Sequence, residues 1–197
     1  MILSPEQAPH SLAGLIARRL AAQDRVLVAL DGMAASGKTT LAARIAGTVG
    51  GCAVVHMDDF FLPQDKRDAG YAAREIANSD IDRVLEDVLL PLSRGEAAVY
   101  RPYVHHPTPA FLPPVRVPAD ARAVIVEGAY SLHPKLFDLY DLRVLATVSP
   151  QTQRARILAR NGEAMLERFV GEWIPLENRH IAARALSQRC DAIVRVP

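Results

Sequence analysis

Cysteine is scarce: only Cys52 and Cys190 occur in 197 residues. They stand far apart without CxxC spacing, which points away from a disulfide framework. They are expected to be reduced, buried thiols of a cytoplasmic protein. Net charge is also nearly absent. Lys and Arg total 23 against 22 Asp and Glu, a formal net charge of +1. That balance argues against bulk electrostatic binding to nucleic acid or an anionic membrane. No apolar stretch approaches the ~20 residues needed to span a bilayer. Met1 to Gln7 shows no basic segment followed by an apolar core, so no secretion signal is expected. Internal repeats are missing. What remains, half hydrophobic, suits one compact domain over 1–197. Composition leaves the oligomeric state open between monomer and homodimer.

Lysine is rare too, with three residues against twenty arginines. One of them, Lys38, closes the most informative stretch. The apolar run Val26 to Leu30 leads into Asp31, then Gly32-Met33-Ala34-Ala35-Ser36-Gly37-Lys38-Thr39-Thr40. This is the P-loop pattern, in the strand-to-helix context that it requires. Gly32 and Gly37 let the backbone turn and aim its N–H groups at phosphate oxygens. The helix that begins near Lys38 turns its partial positive end toward the same anion. Lys38 supplies a full charge, and Thr39 offers a hydroxyl to Mg²⁺. Residues Gly32 to Thr40 are therefore the candidate binding site for the ATP triphosphate.

Elsewhere apolar spacing predicts a helix over 5–22, opened by Ser4-Pro5-Glu6-Gln7. Strands are predicted at 25–31, 52–57, 123–126, 141–148 and 192–196. Helices are expected at 38–48, 80–92, from 150 to about 161, at 163–173 and within 176–189. Residues 63–79 are polar and read as a loop. Six prolines between Pro102 and Pro118 exclude a central strand or helix there. The segment 97–120 is expected to form a pair of short edge strands and a loop over the sheet's end, serving as a substrate-covering insertion. A helical lid is expected over 150–175. Alternating strands and helices give an α/β fold with a doubly wound parallel sheet. Ligands then bind at the carboxyl ends of the strands.

Three features fall at such ends: the P-loop, Asp58-Asp59 and Glu127. Further absences narrow the chemistry. There is no Asn-Lys-x-Asp motif for guanine and no Leu-Ser-Gly-Gly-Gln segment. A small kinase is the natural reading. Such an enzyme needs a carboxylate to orient the acceptor hydroxyl and take its proton. Asp58 is the candidate base, expected on a strand beside the P-loop strand, and Asp59 is the competing candidate. Glu127 is the candidate Mg²⁺ ligand beside Thr39. Arg156 and Arg160 share a helix face, where guanidinium forks can meet phosphate oxygens. Trp173 reads as a packing anchor rather than a platform for a base. A different class of function, an ATP-binding switch with slow hydrolysis, needs no acceptor pocket.

Together Asp31-Gly-Met-Ala-Ala-Ser-Gly-Lys-Thr-Thr, His56-Met-Asp-Asp-Phe-Phe and Val126-Glu-Gly-Ala-Tyr resemble the uridine kinase-like P-loop kinases. That group includes uridine, nicotinamide riboside, phosphoribulose and pantothenate kinases. The resemblance runs from about residue 25 to 195. It implies a P-loop kinase fold, ATP and Mg²⁺ as cofactors, and a small hydroxyl-bearing acceptor. It places the catalytic aspartate on Asp58 and a ribose-contacting aspartate on Asp80 of Asn78-Ser-Asp80. It also implies acceptor contacts from Tyr100 and His105, with Asp59 nearby, and lid arginines at Arg156 and Arg160. The acceptor it suggests first is a nucleoside such as uridine or cytidine. Nicotinamide riboside, pantothenate or another alcohol is the alternative. The Pro-rich pocket segment and the lack of an adjacent arginine pair in the lid depart from a typical uridine kinase.

Overall fold

A computed structural model describes residues 1–63, 76, 79–105 and 107–197. Most of the polar loop at 63–79, together with Asn78 and His106, lies outside the described residues. The chain begins with β1 (Ile2–Leu3) and α1 (Ala8–Leu20), then β2 (Val26–Gly32), α2 (Lys38–Thr48) and β3 (Cys52–His56). A 3₁₀ turn, Met57–Asp59, follows β3. A continuous helical run then comprises α3 (Ile81–Arg83), a π-turn (Val84–Leu89) and α4 (Leu90–Ser93). Four short strands come next: β4 (Ala98–Tyr100), β5 (Tyr103–Val104), β6 (Ala110–Phe111) and β7 (Val115–Val117). The remainder is β8 (Ala123–Glu127), α5 (Pro134–Phe137), β9 (Leu142–Val148), α6 (Pro150–Asn161), α7 (Glu163–Arg168), a second π-turn (Phe169–Trp173), α8 (Ile174–Ala183), α9 (Leu186–Arg189) and β10 (Ala192–Val196).

Six strands form one parallel sheet in the order β1-β10-β9-β2-β8-β3. β2 is buried at all seven positions, as a strand covered on both faces must be. Its alternate residues enter two cores. Val26, Val28 and Leu30 pack with α1 and α2, while Leu27 and Ala29 face the helices of 81–93. Ser4 and Gln7 exchange side chain-to-backbone hydrogen bonds at 3.3 and 3.4 Å and open the first turn ahead of α1.

The strand order corrects one expectation. β3 is not beside the P-loop strand; β8 lies between them. Leu30 is level with Glu127, and Glu127 is level with His56. The acid of β8 is thereby set between the P-loop and the Asp58-Asp59 turn.

The described residues of 97–120 form four short strands rather than two, in antiparallel pairs β4–β7 and β5–β6. The prolines fall outside these strands, where no ladder N–H is needed. Phe60 bridges to Tyr103, which joins β5 to the turn after β3. Both π-turns precede a proline. Pro91 and Pro175 would clash with the carbonyl four residues back, at Asp87 and Gly171. Each of those residues lies inside a π-turn, where the wider winding separates the two groups. The 176–189 helix is broken by Ala185 at φ 48°. β1 and α5 carry too few residues to show periodicity and were not foreseen. Cys52 and Cys190 are free and half-buried rather than fully enclosed. Desolvation raises their thiol pKa to about 11 and about 12.

Candidate active site

The loop from Gly32 to Thr39 connects β2 to α2. Gly32 sits at φ 144°, and a Cβ there would lie 1.9 Å from the carbonyl oxygen of Ala146 on β9. This glycine is required by the close approach of the neighbouring strand. Gly37 is different. It has open space around it, but its φ of 88° is left-handed. Ala35 also has positive φ, at 57°. Lys38 Nζ curls over the loop and donates to the carbonyls of Gly32 and Met33 at 2.9 and 2.8 Å. Ser36 Oγ is buried and has no hydrogen-bond partner among the described residues.

Behind the loop, Asp31 is 1% exposed and fully engaged. Its carboxylate accepts the N–H groups of Gly32 (2.6 Å), Tyr130 (3.1 Å) and Leu132 (2.8 Å). His180 Nε2 lies 3.0 Å from its second oxygen. The strand end before the phosphate loop is thus tied to the segment after Glu127 and to α8.

Glu127 Oε1 receives two groups. Thr39 Oγ1 donates to it at 3.0 Å, and His56 Nδ1 stands 2.6 Å away. The hydrogen bond to Glu127 raises the His56 pKa, with burial opposing. Asp58 opens into the same cleft. Packing around its carboxyl raises its pKa, and the charge of Glu127 raises it further, while Lys38 and His56 pull it down. Hydroxyl and carboxylate oxygens side by side are the hard donors that Mg²⁺ takes, so Thr39 and Glu127 fit that ion.

A cleft of about 1200 Å³ runs across these groups. A pocket for one small ligand measures roughly 300–1,000 Å³, and this cleft exceeds that range. Lys38, Thr39, Asp58 and Glu127 line it, as do Arg156 and Arg160. Arg156 Nη1 donates to Ala35 O at 3.0 Å, and Arg160 Nε to Asn161 Oδ1 at 2.8 Å. Trp173 is half-buried and lines the cleft, with Phe169 at 4.6 Å and the Arg168 guanidinium over its ring. Its packing role is thus played at the cleft wall and not in the core. The π-turn that carries it contributes no buried residue.

At the other end of the cleft stand Phe61, Tyr103 and His105, with ring centroids 5.2 Å apart from Phe61 to His105 and from Tyr103 to His105. Asp59, Asp80 and Tyr100 lie behind this surface. Tyr100 is buried against Phe60 and donates its hydroxyl to Asp59 Oδ2 at 3.1 Å. Burial raises its pKa, as does the Asp59 charge. Asp80 is 9% exposed and caps α3, accepting from Arg83 N at 3.3 Å.

Several contributors carried no sequence signal. Gln153 Nε2 donates to Ala34 O at 3.0 Å, and Glu177 Oε2 accepts from Ala34 N at 2.7 Å. Glu177 is buried, which raises its pKa, with Lys38 opposing. Gln153, Glu177 and His180 are isolated polar positions on helices more than a hundred residues from the loop. His56 had a weak signal, its place at a strand end two residues before an acidic pair.

A parallel sheet with this loop at a strand's carboxyl end defines a P-loop nucleotide-binding fold. No family model matches the chain. It is 30% identical over 143 residues to human nicotinamide riboside kinase 2 and 33% identical over 141 residues to the mouse protein. These matches cover 70% and 69% of this chain. The chain spans 58% of the human relative's length and 68% of the mouse relative's. A solved structure described as a possible uridine kinase from Bacillus stearothermophilus superposes with a TM-score of 0.69 at 18% identity, covering 94% of this chain and 98% of that one. A candidate fructose transport system kinase from Silicibacter sp. TM1040 gives 0.62 at 22%, with 92% and 98% covered. The structural likenesses establish the fold. The sequence relationship establishes more: the chain belongs to the uridine kinase-like P-loop kinases, a family of small-molecule kinases, as a relative of the nicotinamide riboside kinases.

Proposed function

We propose that the protein transfers the γ-phosphoryl group of ATP to a hydroxyl of a small, nucleoside-like metabolite. The observation that carries this reading is that Asp58 opens into the same cleft as Lys38, Thr39 and Glu127. A nucleotide switch needs no carboxylate and no second compartment at that position.

Gly32 to Thr40 bind the triphosphate through backbone N–H groups, with Lys38 countering its charge. Thr39 and Glu127 would hold Mg²⁺, which offsets charge on the phosphoryl oxygens. His56 fixes the Glu127 carboxylate. Asp58 accepts the acceptor's hydroxyl proton as that oxygen bonds to phosphorus, and the bond to the departing ADP oxygen breaks. Support for Asp58 over Asp59 comes from their surroundings, because Asp59 is occupied by the Tyr100 hydroxyl. Arg156 and Arg160 reach the cleft from α6 and meet the phosphates. The segments 97–120 and 150–175 act as covers within a single domain 1–197.

Phe61, Tyr103 and His105 favour an acceptor with a flat ring. A nucleoside such as uridine or cytidine suits them. Nicotinamide riboside suits them too, and the relatives' name supports it. Asp80 and Tyr100 shape this end from behind, through α3 and Asp59. A transfer screen with labelled ATP against nucleosides, nicotinamide riboside, pantothenate and sugars tests the proposal. A labelled product that depends on Asp58 is expected. ATP hydrolysis with no labelled acceptor across the panel would point to a switch.

A further inference from the structure

Ala35 is the one non-glycine residue of the phosphate loop with positive φ. A Cβ makes that conformation unfavourable, so it persists only where its surroundings enforce it. The surroundings are specific. Three side chains from two distant helices hold the peptide groups beside it. Glu177 accepts the N–H of Ala34, Gln153 donates to the carbonyl of Ala34, and Arg156 donates to the carbonyl of Ala35. Glu177 and Gln153 are buried, at 7% and 4% exposure.

These residues occur in pairs one turn apart. Gln153 and Arg156 share a face of α6. Glu177 shares a face of α8 with His180, which binds Asp31 directly behind Gly32. The two helices flank the cleft-lining stretch that carries Met165, Phe169 and Trp173. The same side chains therefore set the shape of the loop and attach it to both roots of that stretch.

We propose that Glu177 and Gln153 are positioning residues that clamp Ala35 in its left-handed conformation and so hold the phosphate loop in its anion-binding shape. The inference rests on the nucleotide reading of the loop, and the experiment separates the two. Binding of Mg-ADP is measured by calorimetry for the wild type and for Glu177→Ala, Glu177→Gln, Gln153→Leu, and each of Glu177→Ala and Gln153→Leu combined with Ala35→Gly.

Glu177→Ala should weaken Mg-ADP by roughly ten- to a hundredfold, the loss of one charge-assisted hydrogen bond. Glu177→Gln should retain most of the affinity, because an amide oxygen accepts the same N–H. Ala35→Gly should recover most of the loss in both combinations, since glycine takes this conformation without a clamp. Recovery of that kind is not expected from a residue that only stabilises the fold. Should Glu177→Ala fail to fold, the Gln153 arm carries the same test. The clamp is wrong if both single variants bind like wild type, if Glu177→Gln is as weak as Glu177→Ala, or if Ala35→Gly rescues neither. Failure of the wild type to bind Mg-ADP would instead remove the nucleotide reading and the clamp with it.

Discussion

Thr39 Oγ1 donates to Glu127 Oε1 at 3.0 Å, across the gap between the start of α2 and the end of β8. Two oxygens of different chemistry face one point from two elements. Glu127→Ala leaves the loop intact and removes one of them. Mg²⁺ should then strengthen ADP binding at least ~10-fold less than in the wild type, a loss typical of a disturbed metal shell. Titrating ADP with and without Mg²⁺ checks this. An unchanged Mg²⁺ effect would place the ion elsewhere.

Asp58 should be necessary to the chemistry and of little consequence to the fold. Asp58→Asn is expected to lower kcat by roughly 10²- to 10⁴-fold, the range for loss of a general base, while nucleotide affinity stays near wild type. Asp58 is exposed, but the protein around its carboxyl and the charge of Glu127 raise its folded-state pKa. Stability linked to this group is present below the ordinary aspartate value and falls as pH rises through the folded value. Solvent screens an exposed carboxylate, so Asp58→Asn should melt at or slightly above wild type at neutral pH, and any difference should vanish in acid. A lower melting temperature for the variant at pH 7 contradicts this account.

Asp31 and His180 form the most enclosed carboxylate–imidazole contact among the described residues, with side chains 1% and 2% exposed. His180→Leu removes one of four groups bound to a buried carboxylate. The expected cost is about 2–3 kcal/mol in denaturant unfolding. A loss below ~0.5 kcal/mol, the range of neutral surface changes, would mean that the three N–H groups suffice.

The two loop glycines should fail in different ways. Gly32→Ala drives a Cβ into the carbonyl of Ala146, so destabilisation of about 1–3 kcal/mol or more is expected. Gly37→Ala meets no atom and strains only its own backbone, at about 1–2 kcal/mol. Its main effect should be on ADP affinity. Comparing melting and binding for both variants distinguishes the roles, and a Gly32→Ala variant that melts like wild type would contradict the packing argument for Gly32.

The sequence by itself determined the elements whose signal is local. Val26 to Leu30 must be a covered strand because nothing in it can face water. Gly32 to Thr39 must be a strand-to-helix turn, because its glycines and Lys38 stand at fixed offsets. Alternating elements made the sheet parallel, and the carboxyl ends of its strands held Asp58 and Glu127. Tertiary structure decided whatever depends on a neighbour distant in sequence. The order β2-β8-β3, rather than adjacency of β2 and β3, follows from which faces pack best, and no short pattern encodes that. Gly32 looked like a phosphate residue until the approach of Ala146 gave it a second reason. Trp173 packs on Phe169 at the cleft wall, a place that no local pattern shows. Gln153, Glu177 and His180 act on a loop far away along the chain, and their identity as single polar residues on ordinary helices concealed it. Periodicity and spacing report contacts along the chain; a hydrogen bond between residues 31 and 180 exists only once the sheet has brought α8 against the end of β2.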